Sequence, residues 1–194
     1  MLKYYSLKKI IRADIRIGMM VVFMWGAMAP ISSKLTGILS LTTIGAGIVL
    51  TGLSMEFLKV IIKYTTFKSS VKLLIAYDVF FTISTAIINN AMSRESFALY
   101  LMISCVPYGI LTKASDIKFK TLLGDIYPKY IVERIFTNFT ILCNRVGMIA
   151  TGLITLLSSV GIDGKEIINL FIVGSIFQIY FSIKSFIENY KDLK

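Results

Sequence analysis

The sequence contains no histidine. That absence removes imidazole metal sites, the Ser-His-Asp and Cys-His nucleophile systems, and most general-base chemistry near neutral pH. The two cysteines, Cys105 and Cys143, stand in separate apolar runs, so neither a disulfide framework nor a CxxC metal or redox motif can be assembled from them. They read as small apolar core residues. Charge is scarce as well, at 16% of 194 residues, and acidic charge is scarcer still, with 11 Asp+Glu against 21 Lys+Arg. The glycines Gly45, Gly47 and Gly52 lie within an apolar run without a Walker lysine or a preceding strand, so they do not form a phosphate cradle. No catalytic residue, cofactor or metal is expected, and the chain does not read as an enzyme.

What the sequence does have is hydrophobic residues, at 56%, and a mean hydropathy of +0.76. These values leave the soluble range and indicate an integral membrane protein. A spanning helix needs about 20 mostly apolar residues. Windows at Ile15–Ser33, Ile38–Ile62, Val71–Ala91, Ser96–Leu111, Ile135–Ser158 and Ile167–Ile183 meet or approach that length. The fourth is short and carries Pro107 and Gly109, so it is expected to kink or to extend into the polar segment after it. The expected fold is all-α: a single integral-membrane domain over residues 1–194, built as a bundle of about six transmembrane helices with short connections at Ser33–Gly37, Asn89–Glu95 and Gly161–Glu166.

The basic residues orient this bundle. Five lie between Lys3 and Arg16, four between Lys59 and Lys72, five between Lys113 and Arg134, and three from Lys184 to Lys194. Only Lys34, Arg94 and Lys165 fall on the other side, and Arg145 lies within the fifth window. The positive-inside rule then predicts both termini in the cytoplasm and a multi-pass protein of the inner (cytoplasmic) membrane. The net charge of +10 is accounted for by topology and by attraction to anionic lipid headgroups, without a nucleic-acid partner. Ala27-Met28-Ala29 has the form of a signal-peptide cleavage site, but Pro30 would follow the cut and the leader contains Asp14, so a retained helix is expected. In Lys113–Arg134, apolar residues such as Phe119, Leu122 and Leu123 alternate with charge, which fits a segment lying on the cytoplasmic interface. Tyr4, Tyr5, Tyr64, Tyr127, Tyr130 and Tyr190 fall near inner boundaries and fit an aromatic belt.

Three features could carry function. Glu56, Asp78 and Arg145 are ionisable residues inside expected spans, at similar depth in the inner half. They form either a cytoplasmic gate with a titrating carboxylate or a buried charge cluster that fixes helix register. Polar stripes at helical spacing, Asp78-Thr82-Thr85-Asn89 on the third helix and Ser175-Gln178-Ser182 on the sixth, line an aqueous pathway or bond helix to helix. Small residues every fourth position, at Thr43, Gly47 and Thr51 and at Cys143, Gly147, Thr151, Thr155 and Ser159, make smooth helix-packing faces for the bundle or for a dimer interface.

The layout resembles one six-helix half of a major facilitator superfamily transporter. Both have six helices with cytoplasmic ends, a basic loop after the second helix and a longer cytoplasmic connection after the fourth. The family's motif after its second helix begins Gly-x-x-x-Asp; here Gly52-Leu53-Ser54-Met55-Glu56 matches its first and fifth positions with Glu for Asp, and Lys63, Lys68 and Lys72 keep the loop basic. The glycines Gly147 and Gly152 stand where antiporters of the family carry a Gly-Pro pair in the fifth helix. The resemblance implies a half-size transporter or transporter subunit that acts as a homo-oligomer or with another membrane protein, on a small-molecule substrate that the sequence does not name. The competing reading is a membrane interaction protein without transport, such as an immunity, exclusion or accessory factor, using the same bundle. Intramembrane enzymes are disfavoured: Asp14 and Asp78 stand alone where phosphatidyl transferases cluster aspartates, and rhomboid chemistry lacks its histidine.

Overall fold

The computed structural model describes residues 7–23, 39–91, 93–161 and 164–190, and every regular element among them is a helix. The helices are α1 (7–23), α2 (Leu39–Leu53), α3 (Glu56–Tyr64), α4 (Phe67–Ala91), α5 (Arg94–Gly124), α6 (Lys129–Ser159) and α7 (Gly164–Ser185), with a π turn over Phe186–Tyr190. The Ala27-Met28-Ala29 motif, Pro30, Tyr4 and Tyr5 lie outside the described residues.

Local chemistry sets the boundaries. Between α3 and α4, Thr65 closes one helix by donating its amide to the Ile61 carbonyl at 2.9 Å. Thr66 opens the next in a reciprocal box: Ser69 Oγ accepts from the Thr66 amide at 2.8 Å and Thr66 Oγ1 accepts from the Ser69 amide at 3.2 Å. Gly161, at φ 90°, takes the left-handed conformation that ends α6 at little steric cost. Between α2 and α3 the chain bends by 56° at Ser54–Met55, just after Gly52. The expected second span is thus a broken pair, and the Gly52–Glu56 motif forms the break and the start of α3.

The expected interface segment is not a separate element. α5 runs unbroken from Arg94 through Pro107 to Gly124, and after a turn at Asp125–Pro128 the chain continues directly as α6. Residues 113–134 therefore form the joined ends of two long helices. Phe119, Leu123 and Val132 face inward there and join Leu7, Ile10, Phe67, Val71 and Tyr190 in a buried cluster. Phe67 stacks on Phe119 at 5.2 Å between centroids and meets Tyr190 edge-on at 5.4 Å. Tyr190, at 1% exposure, is thus a core residue and not part of an aromatic belt, whereas Tyr64 and Tyr130 are exposed.

This cluster defines one end of the bundle, here called the basic end. The start of α1, the start of α4, the end of α5, the start of α6 and the π turn after α7 all meet there. α1 lies along α6 in the same direction, with Gly18 against Phe139 and Val22 against Gly147. α4 packs between α5 and α7, both of which run back towards the basic end.

Above the cluster α4 and α7 turn apolar faces outward and polar stripes inward. α4 exposes Phe80, Ile83 and Ile87 while burying Asp78, Thr82, Thr85 and Asn89; α7 exposes Val173, Ile176 and Phe177 while burying Ser175, Gln178 and Ser182. In water that arrangement would forfeit the hydrophobic driving force, and in hydrocarbon it is the stable one. Among the described residues three helices are long and apolar enough to cross a membrane: α4, α6 over Lys129–Leu157, and α7 with its π turn over Ile168–Tyr190. The α2–α3 pair makes a fourth if it is counted as one bent span. The chain is a helical membrane protein.

Candidate functional site

The two polar stripes meet. α4 and α7 are antiparallel, and their stripes interlock in a seam, with α5 packed along α4. Near the middle of α4, Gln178 Nε2 donates to Asp78 Oδ2 at 3.0 Å. Towards the far end, Asn89 Nδ2 reaches Asn169 Oδ1 at 3.4 Å, a long and weak bond. Thr82 and Thr85 turn their hydroxyls back onto the carbonyls of Asp78 and Phe81, at 2.8 and 2.7 Å, and Ser175 does the same onto Phe171 at 3.0 Å. Such back-bonding satisfies a hydroxyl inside an apolar span without a second helix. Ser182 Oγ is buried and has no hydrogen-bond partner among the described residues.

Three tyrosines, Tyr77 of α4 and Tyr100 and Tyr108 of α5, line the contact between α4 and α5. Tyr100 Oη sits within 2.6 Å of Ser84 Oγ and 3.0 Å of Thr85 Oγ1, and it donates to the Phe81 carbonyl at 3.0 Å, so one hydroxyl ties α5 to the middle of α4. Tyr77 Oη donates to the Ser104 carbonyl at 2.6 Å. That carbonyl is adjacent to Ile103, whose own helical partner would be the amide that Pro107 lacks, so Tyr77 props the ladder where the proline disturbs it. Tyr108 lies beside Tyr77, with ring centroids 6.4 Å apart.

Asp78 is the chemical centre of the seam. It is 7% exposed, and no cation forms an ion pair with it among the described residues. A carboxylate with a single amide donor in an apolar bundle is poised to take up a proton or a small cation.

The expected trio of charges does not assemble. The Glu56 side chain is 78% exposed and pairs with Lys59 one turn along α3 at 2.7 Å. Arg145 is exposed on α6, and among the described residues no ion pair links Glu56, Asp78 and Arg145. The cause is rotational: hydropathy placed all three at similar depth, but the bend at Ser54–Met55 and the setting of α6 turn Glu56 and Arg145 outward.

The small-residue faces divide. Gly47 is buried, and Thr51 packs on Gly109 of α5, where an added Cβ would lie 2.8 Å from Thr51 Cγ2. The side chain of Thr43 lies outside the described residues. On α6, Gly147 meets Val22 of α1, but Thr151 and Thr155 are exposed and turn their hydroxyls onto the Gly147 and Thr151 carbonyls at 2.9 and 2.8 Å. The outer half of that face is therefore smooth and open, and a side chain at Gly152 would meet nothing within 4 Å.

A second carboxylate site at the basic end had no marker in the sequence beyond its residue types. Burial raises Asp14 to about 7, with the charge of Asp116 adding to the rise and a 3.5 Å hydrogen bond from Tyr190 opposing it. Asp116 itself is raised to about 6 by burial, against the pull of Lys113. Among the described residues no group of three His, Cys, Asp or Glu side chains gathers as a metal site.

Comparison with protein families, with curated proteins and with solved structures finds no match to this chain.

Proposed function

We propose that the chain is a half-size, major-facilitator-like transporter or transporter subunit of the inner membrane, working as an oligomer with both termini in the cytoplasm. The observation that carries this reading is Asp78: a buried carboxylate that faces Gln178 and, among the described residues, no cation, in a seam that also holds the hydroxyl of Ser182, unpartnered among the same residues. A bundle that needed only register would be served by neutral pairs, which cost less to bury. A carboxylate that loads and releases a proton or cation gives the cost a purpose. The gathering of both ends of the described chain at the basic end supports the cytoplasmic placement of the termini. The six-helix half needs a second half to enclose a pathway, and the open outer face of α6 supplies a surface for one.

The test is flux in proteoliposomes carrying a trapped pH dye. Candidate substrates are added under an imposed proton gradient to the wild-type chain and to Asp78→Asn. A substrate-dependent proton movement that Asp78→Asn abolishes, while the variant still reconstitutes, fits the reading. Equal movement in both removes Asp78 from the mechanism.

The second reading, a non-transporting interaction protein, is favoured by the same open face of Gly152, Thr151 and Thr155. Under it, Gly152→Leu breaks capture of a membrane partner, whereas Asp78→Asn alters stability alone.

A further inference from the structure

α7 and the π turn after it carry a second stripe beside the one that faces α4. Gly174, Phe177, Phe181, Lys184 and Glu188 follow one another at helical spacing and border α1. Two hollows adjoin along this border. The first, of about 530 Å³, lies towards the basic end, where Arg16 and Lys184 stand at its rim with Glu188. The second, of about 380 Å³, is walled by Met19, Met20, Phe23, Val146, Gly174 and Phe177, without one polar side chain. Met19 and Met20 line both, so the hollows form one groove with a charged mouth and an apolar arm.

Length and charge identify the occupant. From Lys184 to Gly174, α7 rises about 15 Å at about 1.5 Å per residue, half of a hydrocarbon core about 30 Å thick. The groove is therefore one leaflet deep, with its charged mouth at the end where headgroups lie. Two cations face one carboxylate there, and among the described residues neither Arg16 nor Lys184 is held in an ion pair. A guanidinium beside an ammonium is suited to a phosphodiester, and flexible methionines suit an alkyl chain with no fixed shape. A soluble anion has no use for the apolar arm, and a neutral lipid has no use for the excess positive charge.

We infer that the groove between α1 and α7 binds one anionic phospholipid, with its phosphate between Arg16 and Lys184 and one acyl chain against Met19, Met20, Phe23 and Phe177. The groove stands apart from the Asp78 seam, so its test does not depend on the transport reading.

The test is native mass spectrometry of the full chain in mild detergent, titrated separately with dioleoyl phosphatidylglycerol and dioleoyl phosphatidylcholine. The first phosphatidylglycerol binds roughly tenfold more tightly, since a cation at a membrane surface contributes about a factor of five and Glu188 offsets part of the pair. Arg16→Gln with Lys184→Gln brings the two lipids level. Both positions are exposed, so an unchanged circular dichroism spectrum and monodisperse elution are expected of that variant. Gly174→Leu, which narrows the arm, lowers occupancy by both lipids. Equal affinities in the wild type overturn the inference, as does a phosphatidylglycerol preference that survives in the double variant. Complete displacement by excess inorganic phosphate assigns the mouth to free anions and overturns it too. So does light scattering that finds a dimer together with Phe177→Cys chains that cross-link to each other and carry no lipid, because a second copy then fills the groove.

Discussion

Replacing Gln178 by Leu tests whether the seam is held by its one carboxylate bond. Gln178 and Asp78 are 4% and 7% exposed, and their 3.0 Å bond joins helices a hundred residues apart in sequence. Neutral hydrogen bonds between membrane helices contribute about 0.6 kcal/mol on average and about 1.7 at most. Leucine also leaves the buried Asp78 carboxyl without its donor, which adds about 1–3 kcal/mol of unrelieved desolvation. Gln178→Leu is therefore expected to cost about 2 kcal/mol in equilibrium unfolding in mixed SDS micelles, read by far-UV circular dichroism. Asp78→Leu together with Gln178→Leu removes donor and acceptor at once and leaves no orphan, so the double variant is expected within about 1 kcal/mol of wild type. The single variant is thus less stable than the double. A double variant that falls by the sum of the two single losses, or further, refutes the reasoning, since the two side chains would then contribute independently.

Three further outcomes follow from the packing and the charges. At Gly18 an added Cβ would lie 2.5 Å from Phe139 Cζ, so Gly18→Ala is expected to destabilise by about 1–3 kcal/mol in the same assay, and Phe139→Leu on that background to restore most of the loss. Gly147→Leu, against Val22 at 3.2 Å from the new Cβ, should lower stability, whereas Gly152→Leu should leave it unchanged and instead reduce the oligomer fraction in light scattering. For pH, Asp14 and Asp116 lie near 7 and 6 when folded, above the usual value of 3.8, so the folded chain holds their protons more tightly than the unfolded chain does. Stability should rise as pH falls from 8 through 7 and 6 towards 4, by up to about 1.4 kcal/mol per pH unit for each carboxyl; Asp14→Asn should raise stability at pH 8 and flatten the slope near 7, and an unaltered slope would remove Asp14 as its source.

The stripes were legible because a helix repeats its face every three or four residues. Asp78, Thr82, Thr85 and Asn89, and Ser175, Gln178 and Ser182, could be aligned from spacing alone, and all seven are buried. Which helix each stripe would meet was not legible, since hydropathy fixes depth and leaves rotation free. The same freedom misplaced Glu56 and Arg145. Tyr100 and Tyr108 stand eight residues apart on one face of α5, a signal that was present but masked by the weakness of that span. The membrane character followed from composition. The basic-end cluster did not, because Phe119, Leu123 and Val132 sit among lysines, and a sequence shows equally well an apolar face on lipid and one on a protein core. The continuation of α5 past Pro107 was left open for a related reason, since the hydroxyl of Tyr77 that props the Ser104 carbonyl comes from another helix.

The basic-end cluster restricts how this protein can move. It clamps the start of α1, the α5–α6 corner and the turn after α7 onto Phe67, so side chains from four parts of the chain must separate before that end can splay. Among the described residues the hydrogen bonding between α4 and α7 thins towards the far end of α4 to the 3.4 Å contact between Asn89 and Asn169. The bundle is built like a hand held at the wrist: α4 and α7 spread more cheaply at their fingertips, and any opening that admits water to Asp78 starts from that side.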